Sequence, residues 1–373
     1  MDRVPSAPQS VDAPLTRSAI FLVCAIAEDG TDSIGTVSIS TVRSVLSDFD
    51  GLIKTVGFRD LDARLACTVG IGSRVWRSVT GREQPAELHP FREIAGATHT
   101  AVATAGDLLF HIRAERQDVC FEFERLLLDA LGTSVTVVDE VSGFRYFDDR
   151  DLLGFVDGTA NPVGPDLPDS TLVGDEDSQH AGGSYVVVQK YLHPLSAWHA
   201  LSTEQQEAIM GRSKFDGVEL DDAESGQKSH KTLATITDDA GEHDILRDNM
   251  PFGRPGSAEF GTYFIAYARH LWVIERMLER MFIGDPPGLH DRLLDFSTPQ
   301  TGSTYFAPSA AMLAALDDVA GADAEPAPLS DDPSHSGLSD PGPGPDPGPG
   351  PGPGPGPGPG PGLGIGSLKT LGE

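Results

Sequence analysis

The chain is short of positive charge. Its 373 residues carry 27 Lys and Arg against 56 Asp and Glu, a formal net charge of −29, and no stretch gathers Lys or Arg into a cluster. A nucleic-acid binder needs such a cluster to neutralise phosphates, so that partner class is nearly excluded. The same repulsion disfavours an anionic membrane surface. Cysteine is scarce too. Cys24, Cys67 and Cys120 are odd in number and each sits in an apolar neighbourhood. None has the C-x-x-C or Cys/His spacing of a zinc site, so they read as reduced core residues of a cytoplasmic protein. Long apolar runs are missing: Ala19 to Ala27 is too short to span a bilayer. Met1 to Arg17 lacks the basic region or twin arginine of an export signal. There is no P-loop, no H-E-x-x-H, no G-x-S-x-G and no complete G-x-G-x-x-G, since Gly70-Ile71-Gly72 stops short. Nucleotide and standard hydrolase chemistry lose their usual support.

What is abundant is glycine and proline, 42 and 29 residues, and they are unevenly placed. Pro341 to Gly362 is Pro-Gly alternation broken only by Asp346. It has no side chains to bury and is not collagen, whose glycine recurs every third residue. From Asp317 onward nine acids face one base, Lys369, so this segment repels itself and is expected to stay extended.

Upstream, strand-like stretches cover Ala19 to Ala27, Ala66 to Ile71, Leu108 to Ile112 and Val135 to Val141. Val42, Val45, Leu46, Phe49, Leu52, Ile53 and Val56 share one face of a helix, and Val119 to Leu131 reads as a second helix. The order then repeats. Tyr185 to Leu192 is a strand, Ser202 with Gln205 opens a helix as a capping box, Thr232 to Thr237 and Tyr263 to Ala268 are strands, Leu271 to Phe282 is a helix, and a last strand lies near Thr304 to Ala307. Two β-α-β-β-α-β units predict an α+β fold of two ferredoxin-like halves, antiparallel sheets with helices packed on them. The expected division is an N-terminal tail (1–16), two halves (17–150 and 151–316), an acidic Pro-Gly linker (317–362) and a terminal peptide (363–373).

Two clusters could carry chemistry. Gly154-Phe155-Val156-Asp157-Gly158-Thr159-Ala160-Asn161-Pro162 reads on spacing alone as a tight turn; its glycines also let the backbone approach a flat ligand while Asp157 projects into a cavity. The other is Ser229-His230 with His243 to Gly253, where a single histidine is more often structural than a ligand.

At these clusters the sequence resembles the dye-decolourising peroxidases, haem enzymes marked by a G-x-x-D-G loop, here Gly154 to Gly158. The similarity runs from about Thr16 to Pro308, and Gly154 to Pro162, Asp244 to Gly253, Phe260 to Tyr267 and Asp291 to Thr298 look like the bacterial B subclass. The family's fold, a dimeric α+β barrel of two ferredoxin-like halves, agrees with the strand order. The resemblance implies one haem b per chain, with His230 the proximal iron ligand and Asp291 the carboxylate behind it. It implies Asp157, Arg247 and Asn249 as catalytic residues on the distal side, Leu246 and Phe264 lining that pocket, and Gly158 and Thr159 against the cofactor. A neutral imidazole holds haem iron and leaves the other face for hydrogen peroxide. A carboxylate there can move the peroxide proton, and a fixed guanidinium can stabilise the charge that develops. An aspartate in place of a histidine base predicts activity in acid. Trp76, Trp198, Trp272 and Tyr185 are candidates for relaying electrons from small donors such as dyes and phenolics, though core packing accounts for each. Glu242 could add to a small cation site. Ala160, at a position where an acid also occurs, weakens any manganese activity.

Leu363-Gly364-Ile365-Gly366-Ser367-Leu368 is similar to the peptides that direct cargo into encapsulin nanocompartments. Leu363, Ile365 and Leu368 would fill apolar pockets of the shell protein, with the linker giving reach. The expectation is therefore a cytoplasmic, encapsulin-packaged haem peroxidase, a homo-oligomer as is common in the family, with no nucleic-acid or membrane partner. The alternatives are a haem-binding or storage protein without turnover, and a cargo or scaffold component whose main activity is assembly.

Overall fold

Strand β1, Ser18–Ile26, is apolar along nearly its whole length, and the computed structural model gives the reason. Ile20, Leu22, Cys24 and Ile26 face a core built against helices. Ala19, Phe21 and Val23 face a second core on the opposite side of the sheet. Because successive strand side chains alternate between faces, a strand covered on both sides must be apolar at both parities. The structure describes residues 7–29, 33–222, 226–239 and 241–318. The Pro-Gly linker and the terminal peptide lie outside them.

In the first half, β1 is followed by helices α1 (Thr36–Ser47) and α2 (Phe49–Gly57), strands β2 (Ala66–Gly72) and β3 (Leu108–Ala114), helix α3 (Gln117–Leu131) and strand β4 (Val135–Phe144). The second half runs β5 (Ser184–Leu192), α4 (Thr203–Met210), α5 (His230–Ala234), β6 (Leu246–Arg247), β7 (Met250–Arg254), β8 (Glu259–Ala268), α6 (Leu271–Phe282) and β9 (Ser303–Ala307). The sheet order is β6-β8-β5-β9-β2-β3-β1-β4, with β7 also paired to β8. Each half thus orders its strands second, third, first, fourth, with helices between the first and second and between the third and fourth. That is the ferredoxin-like arrangement the sequence pattern predicts.

The halves join where Tyr305 and Phe306 of β9 pair antiparallel with Gly72 and Ile71 of β2. At the far end the sheet curls on itself: a Cβ at Gly143 of β4 would lie 2.5 Å from Met250 Cβ of β7, so only glycine allows this approach. The enclosed core holds Phe21 stacked on Tyr263 at 4.2 Å, together with Tyr267 and Tyr305. On the outside, α6 buries Leu271, Ile274, Met277, Leu278, Met281 and Phe282 at helical spacing, each stabilising the packed state by about 1.5–3 kcal/mol. The three cysteines are free and buried, and burial pushes the Cys24 and Cys120 thiols up to about 12.

Three local expectations are corrected. The single helix through Val42 to Val56 is two, because Asp48 leaves helical geometry (φ −94°, ψ 17°) between α1 and α2. Residues 7–16, expected as tail, are packed: Val11 is buried, and the Gln9 side chain donates to Val69 O and Pro308 O and accepts from Val69 N–H. Thr232 to Thr237 is not one strand. Ser229 caps α5, accepting from Thr232 N–H through its side chain and from Leu233 N–H through its carbonyl, and the strand is confined to Ile236–Asp238.

Candidate active site

His230 is the first residue of α5, held by two neighbours. The preceding helix α4 ends at Gly211 (φ +78°), where a Cβ would meet Ser229 Oγ at 2.3 Å, so this glycine lets the end of α4 reach the cap of α5. The His230 ring then packs its Nδ1 2.6 Å from Asp291 Oδ2. Asp291 is fully buried. Its Oδ1 accepts from Leu293 N–H at 2.9 Å and its own N–H donates to Met281 O at the end of α6. An ionised carboxylate only accepts, so Nδ1 carries the proton and Nε2 is left as a lone-pair donor toward the cavity. Nε2 makes no hydrogen bond among the described residues.

The Gly154 to Pro162 loop supplies the next group. Positive φ at Gly154 and Gly158 (+96° and +74°) turns the chain on both sides of Asp157. Asp157 Oδ1 accepts from Gly158 N–H at 2.7 Å and Oδ2 from Asn249 Nδ2 at 3.2 Å. Asn249 is oriented in turn, its Oδ1 accepting from Ile265 N–H of β8. Arg247 sits on β6. Burial lowers the pKa of its guanidinium, with Asp157 opposing that shift, and its Nε is buried with no hydrogen-bond partner among the described residues.

His230, Asp157, Arg247 and Asn249 line one cavity of about 850 Å³, part of it open to solvent, walled by apolar side chains including Phe264, Met277, Met281 and Leu293. An adjoining hollow shares Asp157, His230 and Arg247 and adds Gly158, Thr159 and Glu242. The expected residues therefore come together, except for Leu246. Strand alternation turns Leu246 away from the face carrying Arg247 and into the enclosed core beside Tyr267. Of the aromatic residues singled out, Trp76, Trp198 and Tyr185 are buried, with Trp198 Nε1 donating to Leu153 O. Trp272 is 37% exposed and packs edge-on against His243 at 4.8 Å.

Two residues escaped the sequence reading. Asn161, the last residue before Pro162, bonds to the backbone of Arg247; an asparagine three places after Asp-Gly looked like ordinary turn chemistry. Asp151 lines the cavity, its Oδ1 accepting from Phe155 N–H, and burial pushes its pKa up to about 7. No local signal marks it.

Comparison with known proteins identifies the assembly. Residues 8–145 match the family described as Dyp-type peroxidase, N-terminal, and residues 148–312 match Dyp-type peroxidase, C-terminal. The chain belongs to the Dyp-type peroxidases. It is 52% identical over 303 residues to the dye-decolorizing peroxidase of Mycobacterium tuberculosis, covering 81% of this chain and 88% of that one. Among solved structures, DyPB from Rhodococcus jostii RHA1 is 54% identical with a TM-score of 0.78, covering 83% of this chain and 98% of that one; a variant of it was solved in complex with heme. The encapsulated DyP-type peroxidase from Mycobacterium smegmatis is 51% identical at the same TM-score and coverages. This Dyp-type peroxidase is thus an enzyme of known reaction class, and no helix among its described residues is long and apolar enough to cross a membrane.

Proposed function

We propose that this peroxidase binds one haem b per chain in the cavity between His230 and Arg247, reduces hydrogen peroxide there, and oxidises small donors such as dyes and phenolics. The observation that carries the reading is the pairing, in one apolar-walled cavity, of an imidazole Nε2 and a buried guanidinium Nε that have no hydrogen-bond partner among the described residues. A nitrogen donor, a nearby fixed cation and apolar walls fit an iron porphyrin, and a solved relative holds heme.

When bound, haem supplies the iron at which the O–O bond is broken and the oxidising equivalents are held. His230 Nε2 would be its protein ligand. Asp291 keeps the proton on Nδ1, which fixes the ring and makes it a stronger donor. Asp157, its carboxylate steadied by Asn249, takes a proton from hydrogen peroxide and returns it to the departing oxygen. Arg247 stays charged throughout and balances the negative charge that develops as the bond lengthens. Overall one peroxide, two electrons and two protons give two waters, the electrons coming singly from two donor molecules. Gly158 and Thr159 would flank the cofactor in the adjoining hollow.

Replacing Arg247 with Leu tests this. The loss of one such electrostatic donor is expected to slow the peroxide reaction about 100- to 1000-fold with haem retained; unchanged turnover in both Arg247→Leu and Asp157→Ala would overturn the assignment. The terminal peptide, residues 363–373, is assigned to docking in an encapsulin shell through Leu363, Ile365 and Leu368. The spacer before it and an encapsulated relative support this reading. Co-expression with the shell protein, with and without residues 363–373, decides it, equal packaging rejecting the role.

A further inference from the structure

Apart from the cavity, one other group of described side chains has the makings of a metal site. His99 lies on the short hairpin formed by Ile94–Ala95 and Thr100–Ala101. His290 and Asp295 come from the segment after α6. His99 Nε2 is 2.9 Å and His290 Nε2 3.0 Å from the same oxygen, Asp295 Oδ1. The two rings meet edge to face with centroids 4.8 Å apart, and the three candidate ligand atoms all lie within 4.8 Å of one another.

This spacing suits coordination. Ligand atoms about 2.0–2.1 Å from a zinc ion and about 90–110° apart are themselves about 2.9–3.4 Å apart, which brackets both nitrogen–oxygen distances. Neither Nδ1 has a hydrogen-bond partner among the described residues, so each imidazole can carry its proton there and free Nε2 for a cation once the ion replaces the hydrogen bond to Asp295.

The framework behind the three is fixed. A Cβ at Gly96 would lie 2.0 Å from Phe282 O, so the hairpin sits hard against the end of α6, and His290 O accepts from Gln227 Nε2 at 2.9 Å. The side chains are 22%, 19% and 38% exposed for His99, His290 and Asp295, which leaves an approach from solvent. Two imidazoles and one carboxylate select a borderline transition ion over calcium or magnesium, which prefer all-oxygen sites.

We infer that His99, His290 and Asp295 form a site for a divalent cation of the zinc class, with two nitrogen ligands, one oxygen ligand and a solvent molecule. The ion fastens the hairpin to the segment that also carries Asp291, the partner of His230. The inference does not depend on the haem reading.

The experiment uses full-length, haem-loaded protein without an affinity tag, titrated with zinc against a chromophoric chelator. One zinc per chain is expected to bind, and to raise the Tm. His99→Ala, His290→Ala and Asp295→Asn are each expected to weaken binding about tenfold or more and to remove the Tm rise. His89→Ala, a histidine paired with Glu275 elsewhere on the surface, serves as the control and leaves both unchanged. With copper as probe, the paramagnetic resonance signal should show two coordinating nitrogens, falling to one in His99→Ala. Absence of binding at about 100 µM zinc, or the same stoichiometry and affinity in His99→Ala as in the native protein, overturns the inference. His99→Ala decides the matter even where His290→Ala fails to fold, because His99 lies on a hairpin outside the main sheet.

Discussion

Asn161 holds both backbone polar groups of Arg247: its Nδ2 donates to Arg247 O at 2.7 Å and its Oδ1 accepts from Arg247 N–H at 3.0 Å. The loop bearing Asp157 and the strand bearing Arg247 are thereby fixed in register, and Asn249 closes the circuit by donating to Asp157. Asn161→Ala leaves two partly buried backbone groups unpaired, a cost of about 1–3 kcal/mol each. Displacement of either side chain by about 1 Å is enough to slow the peroxide step up to about 100-fold. Stopped-flow rates should fall with haem content unchanged. Asn161→Asp keeps the acceptor, loses the donor and should fall in between.

The buried contact between Asp291 and His230 predicts a different phenotype. Asp291→Ala removes the acceptor that holds the Nδ1 proton, so the ring loses both orientation and donor strength. Haem should dissociate about 10- to 100-fold faster, measured by transfer to a haem-scavenging protein. Asp291→Asn keeps the shape and should retain more haem than the alanine variant.

Asp248, between Arg247 and Asn249, points the other way, into the enclosed core. There its Oδ2 lies 3.2 Å from the buried Arg113 guanidinium. Burial raises the Asp248 pKa, and Arg113 opposes the rise. Asp248→Ala strands a buried cation and should cost about 3–5 kcal/mol in denaturant unfolding. The double variant Arg113→Met with Asp248→Leu should recover most of that, since replacing a buried ion pair by apolar residues is often neutral.

Three buried ionisable groups make opposing contributions to stability over the same pH range. Burial holds Asp151 and Glu124 at about 7, above their unfolded values. Their contribution is full in acid and declines as pH rises from about 4 through 7. His193 is depressed to about 4 by burial, so its contribution is present above about 6.5 and disappears as pH falls through 4. Over about pH 4 to 6.5 the two carboxylates outweigh the one histidine, so these groups together should lose stability as pH rises, most steeply between about 6.5 and 7. Denaturant midpoints across pH 4 to 8 check this, and Glu124→Gln should flatten the decline.

The regular elements were legible where burial is simple. Strands covered on both faces read as continuous apolar runs, and α6 showed its spacing so clearly that its limits agree with the sequence reading. The short elements around the site were harder. Thr232 to Thr237 has β-branched residues that suggest a strand, but one side-chain cap at Ser229 outweighs that propensity over a single turn. Leu246 was misplaced because one register step separates the cavity face from the core face. Asp157 and His230 were singled out through the family resemblance, whereas Asn161 and Asp151 act through contacts with backbone that is brought near only by the fold.

The central claim is that the imidazole of His230 is the protein ligand of a haem iron in this cavity. The direct test is the absorption spectrum of His230→Ala, reconstituted with haem, before and after added imidazole. The account predicts weak haem retention and a spectrum lacking the axial nitrogen, with both restored by imidazole. A spectrum and a peroxide response identical to those of the native protein would contradict it.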